Sequence, residues 1–120
     1  MTSANSVRVQ FDDLRALPFD QVIDTYTLVG TIFSVPVRVI KIYNSTDASI
    51  TVSYNGGVSD QDAFPAQSGT IYDYGSNKAN QAGTFDQPVR QGVWVKYRSG
   101  VPTSGEVTVT VMYAGSGGPE

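Results

Sequence analysis

A chain of 120 residues is one domain's worth, and 40% hydrophobic against 16% charged residues argues against a disordered chain, whose mark is high charge with few aromatics. A net charge of −3, with eight Lys and Arg scattered and never in a run, argues against a nucleic-acid partner, which needs clustered cations to neutralise phosphates. With no cysteine and no histidine, the chain has no disulfide, thiolate nucleophile, Cys- or His-ligated metal or Ser-His-Asp triad.

No stretch approaches the ~18 apolar residues of a membrane span. The segment Met1 to Ser6 lacks the basic-then-apolar plan of a signal peptide. The expectation is a soluble protein made in the cytoplasm, with no membrane partner.

In chain order, Val7, Val9 and Phe11 alternate with Arg8 and Gln10 and predict a short strand. Asp12 to Asp20 has room for one helical turn, but Pro18 and the clustered Asp residues favour a loop. Thr25 to Val29 is β-branched and aromatic, and Gly30 then marks a bulge or bend before Thr31-Ile32-Phe33. Val37 to Tyr43 carries apolar groups on both parities and predicts a central strand, with Pro36 confined to its entry. Asn44-Ser45-Thr46-Asp47 is turn chemistry, and Ile50, Val52 and Tyr54 alternate after it, so the pair predicts a hairpin.

Asn55-Gly56-Gly57 ends that strand, and Val58 to Gly69 reads as a polar loop. Thr70 to Tyr74 predicts a strand, Gly75 to Gln87 a second long loop, and Val93 to Tyr97 a strand. Ser99 to Gly105 turns the chain. Val107, Val109, Val111 and Tyr113 against Glu106, Thr108, Thr110 and Met112 form the strictest alternation in the sequence. About seven short strands and no convincing helix predict an all-β fold, an antiparallel β-sandwich or jelly-roll-like barrel. The expected organisation is residues 1–20 as an N-terminal arm or edge strand, 21–114 as the sandwich and 115–120 as a flexible tail.

The candidate chemistry is thin. Asp60 and Asp62 have a spacing that Ca²⁺ uses, but Phe64-Pro65-Ala66 follows where further oxygen ligands belong, so a solvated loop is the expected reading. A glycosidase needs two facing carboxylates. Glu106 lies on a polar strand face, Glu120 in the tail, and Asp73 points away from the face that Tyr72 and Tyr74 share. Gly56-Gly57 is too little for a phosphate loop. Asn44-Ser45-Thr46 matches a glycosylation sequon that means little without a secretory leader. No catalytic residue, cofactor site or metal site emerges. Seven tyrosines and Trp94 in a weakly charged domain point instead to protein interfaces.

One block is more informative than its composition. Pro36-Val37-Arg38-Val39-Ile40-Lys41-Ile42-Tyr43-Asn44-Ser45-Thr46-Asp47 leads through Val52-Ser53-Tyr54-Asn55-Gly56-Gly57 to Phe64-Pro65-Ala66-Gln67-Ser68-Gly69. Trp94-Val95-Lys96, Pro102-Thr103-Ser104-Gly105-Glu106-Val107 and Met112-Tyr113-Ala114 follow. This arrangement resembles small all-β virion structural proteins of tailed bacteriophages, over most of Pro36 to Ala114, with Gly57 as a departure from their single-glycine turn. The resemblance implies no enzyme activity. It implies a homo-oligomeric head-decoration (cement) or neck/collar subunit that binds itself and other virion proteins, assembled in the host cytoplasm and located in the virion. The alternative is a carbohydrate- or receptor-binding module of a phage fibre or tail tip. The interface candidates are Val7, Val9, Phe11, Tyr54, Tyr72, Tyr74 and Trp94.

Overall fold

The strict alternation near the C-terminus becomes a ten-residue strand, Glu106–Gly115, on which the larger of two sheets is built. A computed structural model describes residues 8–35, 37–73 and 92–115 and, within them, nine strands: β1 Arg8–Phe11, β2 Arg15–Pro18, β3 Thr27–Leu28, β4 Val37–Asn44, β5 Ile50–Ser53, β6 Asp62–Phe64, β7 Ser68–Asp73, β8 Trp94–Tyr97 and β9 Glu106–Gly115. The five-stranded sheet runs β1-β9-β4-β7, with β2 also on β9, and the four-stranded sheet runs β3-β8-β5-β6. All pairings are antiparallel. The two sheets pack together as an all-β sandwich.

The topology follows from nested pairs. β1 and β2 pair with β9, β3 with β8, β4 with β7, and β5 with β6, so the chain is one long hairpin folded over on itself. Two lateral pairings, β4 with β9 and β5 with β8, then close the two layers. That wrapping of two Greek keys is the jelly-roll arrangement. β1 and β2 act as one bulged strand. Phe11 pairs with Met112 and Arg15 with Val109, which leaves one extra residue on the N-terminal side, and the Asp12 amide still donates to Val111 O at 2.9 Å.

Buried apolar residues follow the inward parity. Val107, Val109 and Val111 of β9 and Ile40 and Ile42 of β4 meet Ile50 and Val52 of β5 and Val95 of β8. A bulge between Val37 and Val39 shifts the register, so Val37 and Ile40 both face inward although they are three residues apart. Each fully buried Val or Ile contributes about 1.5–3 kcal/mol of transfer free energy, an upper estimate.

Several expectations are corrected. Asn44 to Ser49 does not close a hairpin: β4 pairs with β7 and β9, and β5 with β6 and β8, so this turn carries the chain from one sheet to the other. Local turn chemistry is the same for both routes. The apolar faces of β4 and β5 decide the outcome by packing across the core. Asp12 to Asp20 is not a loop throughout, since Arg15–Pro18 forms β2, with Leu17 inward and Pro18 at its end, and Phe19–Gln21 makes one 3-10 turn. Residues 8–18 therefore join the sandwich through their own chain's β9. Val58 to Gly69 holds the three-residue edge strand β6, anchored by buried Phe64. Gly115 belongs to β9, and 116–120 lie outside the described residues.

The loops at one end of the sandwich are bonded to one another. Phe19 N–H donates to Gly105 O (3.0 Å), Ser45 N–H to Glu106 O (2.9 Å) and Arg98 N–H to Ser49 O (2.9 Å). Gln67 Nε2 donates to Ser45 O (2.8 Å) and Thr46 O (3.1 Å). Gly105 has φ of +88°, and a Cβ there would lie 2.1 Å from Ser45 O, so only glycine permits this approach.

Candidate interaction surface

Cross-strand partners share a face, and that rule assembles the outer face of the five-stranded sheet. Met112 pairs with Phe11 on one side and with Val39 on the other, and Val39 pairs with Asp73. The next row is Thr110, Lys41 and Ile71, and the third is Ala16, Thr108, Tyr43 and Gly69. Phe11 is 69% exposed and Ile71 60%, with Leu14 and Tyr43 also open to solvent. A shallow hollow of about 490 Å³ lies over Lys41, Ile42, Tyr43, Gly69, Thr70 and Ile71. Large apolar side chains gathered on one outward face mark an interaction surface. Lys41 and Asp73 give that face one charge of each sign.

Of the sequence-predicted interface residues, Phe11 lies on this face. Tyr54 (8% exposed) is buried in the core, and Trp94 (9%) is also buried, on the parity opposite the core residues Val93 and Val95. Tyr72 is half-buried and packs against the core. Val9 lies in β1 opposite Ala114, and Val7 and Tyr74 lie outside the described residues. Sequence reasoning missed Val39, Tyr43, Ile71 and Met112. The available signal was the apolar residues on both parities of β4 and β7.

The loop acids have separate partners and do not share a site. Tyr54 donates to Asp62 Oδ2 at 3.1 Å, and the Tyr72 hydroxyl donates to the same oxygen. The two rings meet edge-on, 6.0 Å between centroids at 88°. Asp62 on β6 thus ties the edge of the smaller sheet to β7 of the larger. Burial first, and then Tyr72 and Asp62, push the Tyr54 hydroxyl far above its ordinary value of 10. Tyr54→Phe is expected to cost about 1 kcal/mol, the net worth of one buried hydrogen bond, read by urea unfolding.

Asp60 accepts from the Tyr26 hydroxyl at 2.5 Å and lies 3.7 Å from Lys96 Nζ, which sits 4.7 Å above the centre of the Tyr26 ring. The Tyr26 bond, then Lys96, hold the Asp60 carboxyl below its ordinary value of 3.8. Asp47 is lowered likewise by the Thr103 hydroxyl and amide, the amide at 2.8 Å. A carboxyl depressed in the folded state stabilises fully above its unfolded value, and that contribution is lost as pH falls through the folded one. The melting temperature should therefore hold down to a pH near 4 and fall below it. Asp47→Asn should lessen that acid fall, as a thermal-melt series against pH would show.

Asp73 and Glu106 are exposed on separate strands, and Glu120 lies outside the described residues. Among the described residues no group of three or more acids is placed to hold a metal ion. The Asn44 amide of the sequon is buried and internally bonded, so the folded chain presents no glycan acceptor there. Comparison with known protein families, curated proteins and solved structures found no match.

Proposed function

We propose that this chain is a non-enzymatic structural subunit of a tailed-phage virion, a self-associating head-decoration or neck/collar protein. The observation that carries the reading is the apolar outer face of the five-stranded sheet, centred on Phe11, Val39, Ile71 and Met112. A second copy suits that face. In a two-fold pairing, where the same patch serves both partners, Lys41 of one protomer meets Asp73 of the other. The resemblance over Pro36 to Ala114 supplies the virion context. The jelly roll agrees with it, because viral capsid domains use this arrangement, although lectin domains do so too. The low charge fits a chain that covers part of its surface by assembly.

Mass spectrometry of density-purified particles tests the assignment. The expected result is this chain at a fixed ratio to the major capsid protein, retained through repeated washing. Its absence, or a trace removed by washing, would overturn the virion reading.

A further inference from the structure

A sheet edge is a row of unpaired backbone donors and acceptors, and folded proteins blunt it with short strands, bulges, prolines or charge. Among the described residues the two sheets end in four edges, and three of them are blunted. β3 is two residues long, β6 is three and runs into Pro65, and the β1–β2 edge carries a bulge and ends at Pro18. β7 is the exception. Its six residues, Ser68–Asp73, keep an unbroken register against β4, include no proline or lysine, and carry charge only at Asp73.

The ladder defines what this edge presents. Ser45 N–H donates to Glu106 O, one step beyond the Asn44–Val107 pair, so Lys41, Tyr43 and Ser45 turn their backbone groups toward β9. Ile40, Ile42 and Asn44 turn theirs toward β7, opposite Tyr72, Thr70 and Ser68. The N–H and C=O of Gly69 and Ile71 therefore point away from β4, and among the described residues nothing bonds to them.

The sequence of β7 fits itself. In an antiparallel pairing of two copies about a two-fold axis at Ile71, Ile71 faces Ile71, and Gly69 faces Asp73 of the second copy. Residues whose backbone groups point outward then oppose one another and exchange bonds in pairs, with Thr70 opposite Tyr72 between them. Exposed Ile71 packs against its own equivalent. Glycine leaves room beside the carboxylate, and the two Asp73 residues lie about 14 Å apart. Lys41, beside Ile71 on β4, lies diagonally across from Asp73 of the second copy, so opposite charges are the nearer pair.

We propose that the free edge of β7 takes β7 of a second copy, joining the two five-stranded sheets into one continuous sheet. This contact rests on the self-association reading for its partner, but it uses the edge of the sheet and leaves the apolar face open. Hydrogen exchange of the full chain, read amide by amide by NMR above and below the association midpoint, tests it. The Gly69 and Ile71 amides should exchange at least tenfold more slowly in the associated form, while the Thr70 and Tyr72 amides, bonded to β4, are protected in both. In a mixture of isotope-labelled and unlabelled chains, an intermolecular Hα–Hα contact between Thr70 and Tyr72 should mark the register. Ile71→Lys sets two ammonium groups opposite each other and should abolish the slowing at Gly69 in a chain that still melts cooperatively.

A chain that associates while Gly69 and Ile71 exchange equally fast in both forms would overturn the edge pairing and leave association through the face standing. A chain that stays monomeric would overturn both. Slow exchange of these two amides in the monomer, or slowing without the Thr70–Tyr72 contact, would also overturn the edge pairing.

Discussion

Asn44→Ala is expected to destabilise the sandwich by about 4 kcal/mol, lowering the melting temperature by about 15 °C. Asn44 is fully buried where β4 ends, and all of its amide is in use. Nδ2 donates to Ala48 O at 2.9 Å and to Pro65 O at 3.1 Å. Oδ1 accepts from the Thr46 amide at 3.0 Å and from the Thr46 hydroxyl at 2.5 Å, and Thr46 is buried too. Alanine strands several of these groups in a site closed to water, at about 1–3 kcal/mol for each that finds no new partner. The side chain links the crossover from β4 to β5 with the crossover from β6 to β7, so its loss loosens two inter-sheet connections together. Asn44→Asp separates shape from bonding. It is isosteric, yet it turns a carboxylate toward the Ala48 and Pro65 carbonyls, and should be at least as damaging at neutral pH. An Asn44→Asp chain that melts like the wild type would refute this account of the crossovers.

Arg15→Met is expected to cost about 3 kcal/mol, again by denaturant or thermal unfolding. Arg15 faces the core side of β2 beside Val109 and is nearly buried. Its Nε donates to Thr31 O at 2.8 Å, Nη2 to Ile32 O at 3.3 Å and Nη1 to Asp13 O at 3.3 Å. Nη2 also lies 3.0 Å from Asp12 Oδ2, and the guanidinium sits 4.9 Å above the centre of the Phe33 ring. The Gly30 backbone, at φ of +71°, closes on the side chain, and a Cβ there would fall 2.7 Å from Arg15 Cγ. One cation therefore organises the connection from β3 to β4. Methionine keeps the apolar stem and removes the bonds. Arg15→Lys restores charge without the planar fork, so it should recover only a minor part of the loss.

These two residues show how far the sequence was legible. Period-2 alternation located β4, β5, β8 and β9, because a half-buried strand must repeat with that period. It could not choose between a hairpin and a crossover at Asn44, since the short-range hydrogen bonding that favours a turn is common to both. The bulge opposite β9 obscured the N-terminal strand pair: one extra residue between Phe11 and Arg15 puts Phe11 on the outer face and Arg15 and Leu17 inward, where strict alternation from Val7 would have placed all three on one face. Tyr54 and Trp94 read as interface residues on composition alone. Their burial depends on the fold of the loop that follows β5 and on what packs over β8, which no local pattern encodes. The outer face of the larger sheet was half-visible in Val39, Tyr43 and Ile71, whose parity opposes that of the buried Ile40 and Ile42 and the half-buried Tyr72.

Sedimentation equilibrium of the full chain tests the central claim most directly, that this sandwich associates through the outer face of its five-stranded sheet. The wild type should form a dimer or larger closed oligomer below about 100 μM, a concentration that corresponds to only modest interface free energy. The double variant Phe11→Ser, Ile71→Ser should sediment as a monomer while keeping a cooperative melt, because exposed strand positions away from the core change stability by only about 0.5 kcal/mol each. A wild-type chain that remains monomeric throughout that range, or a folded double variant that associates as the wild type does, would contradict the account.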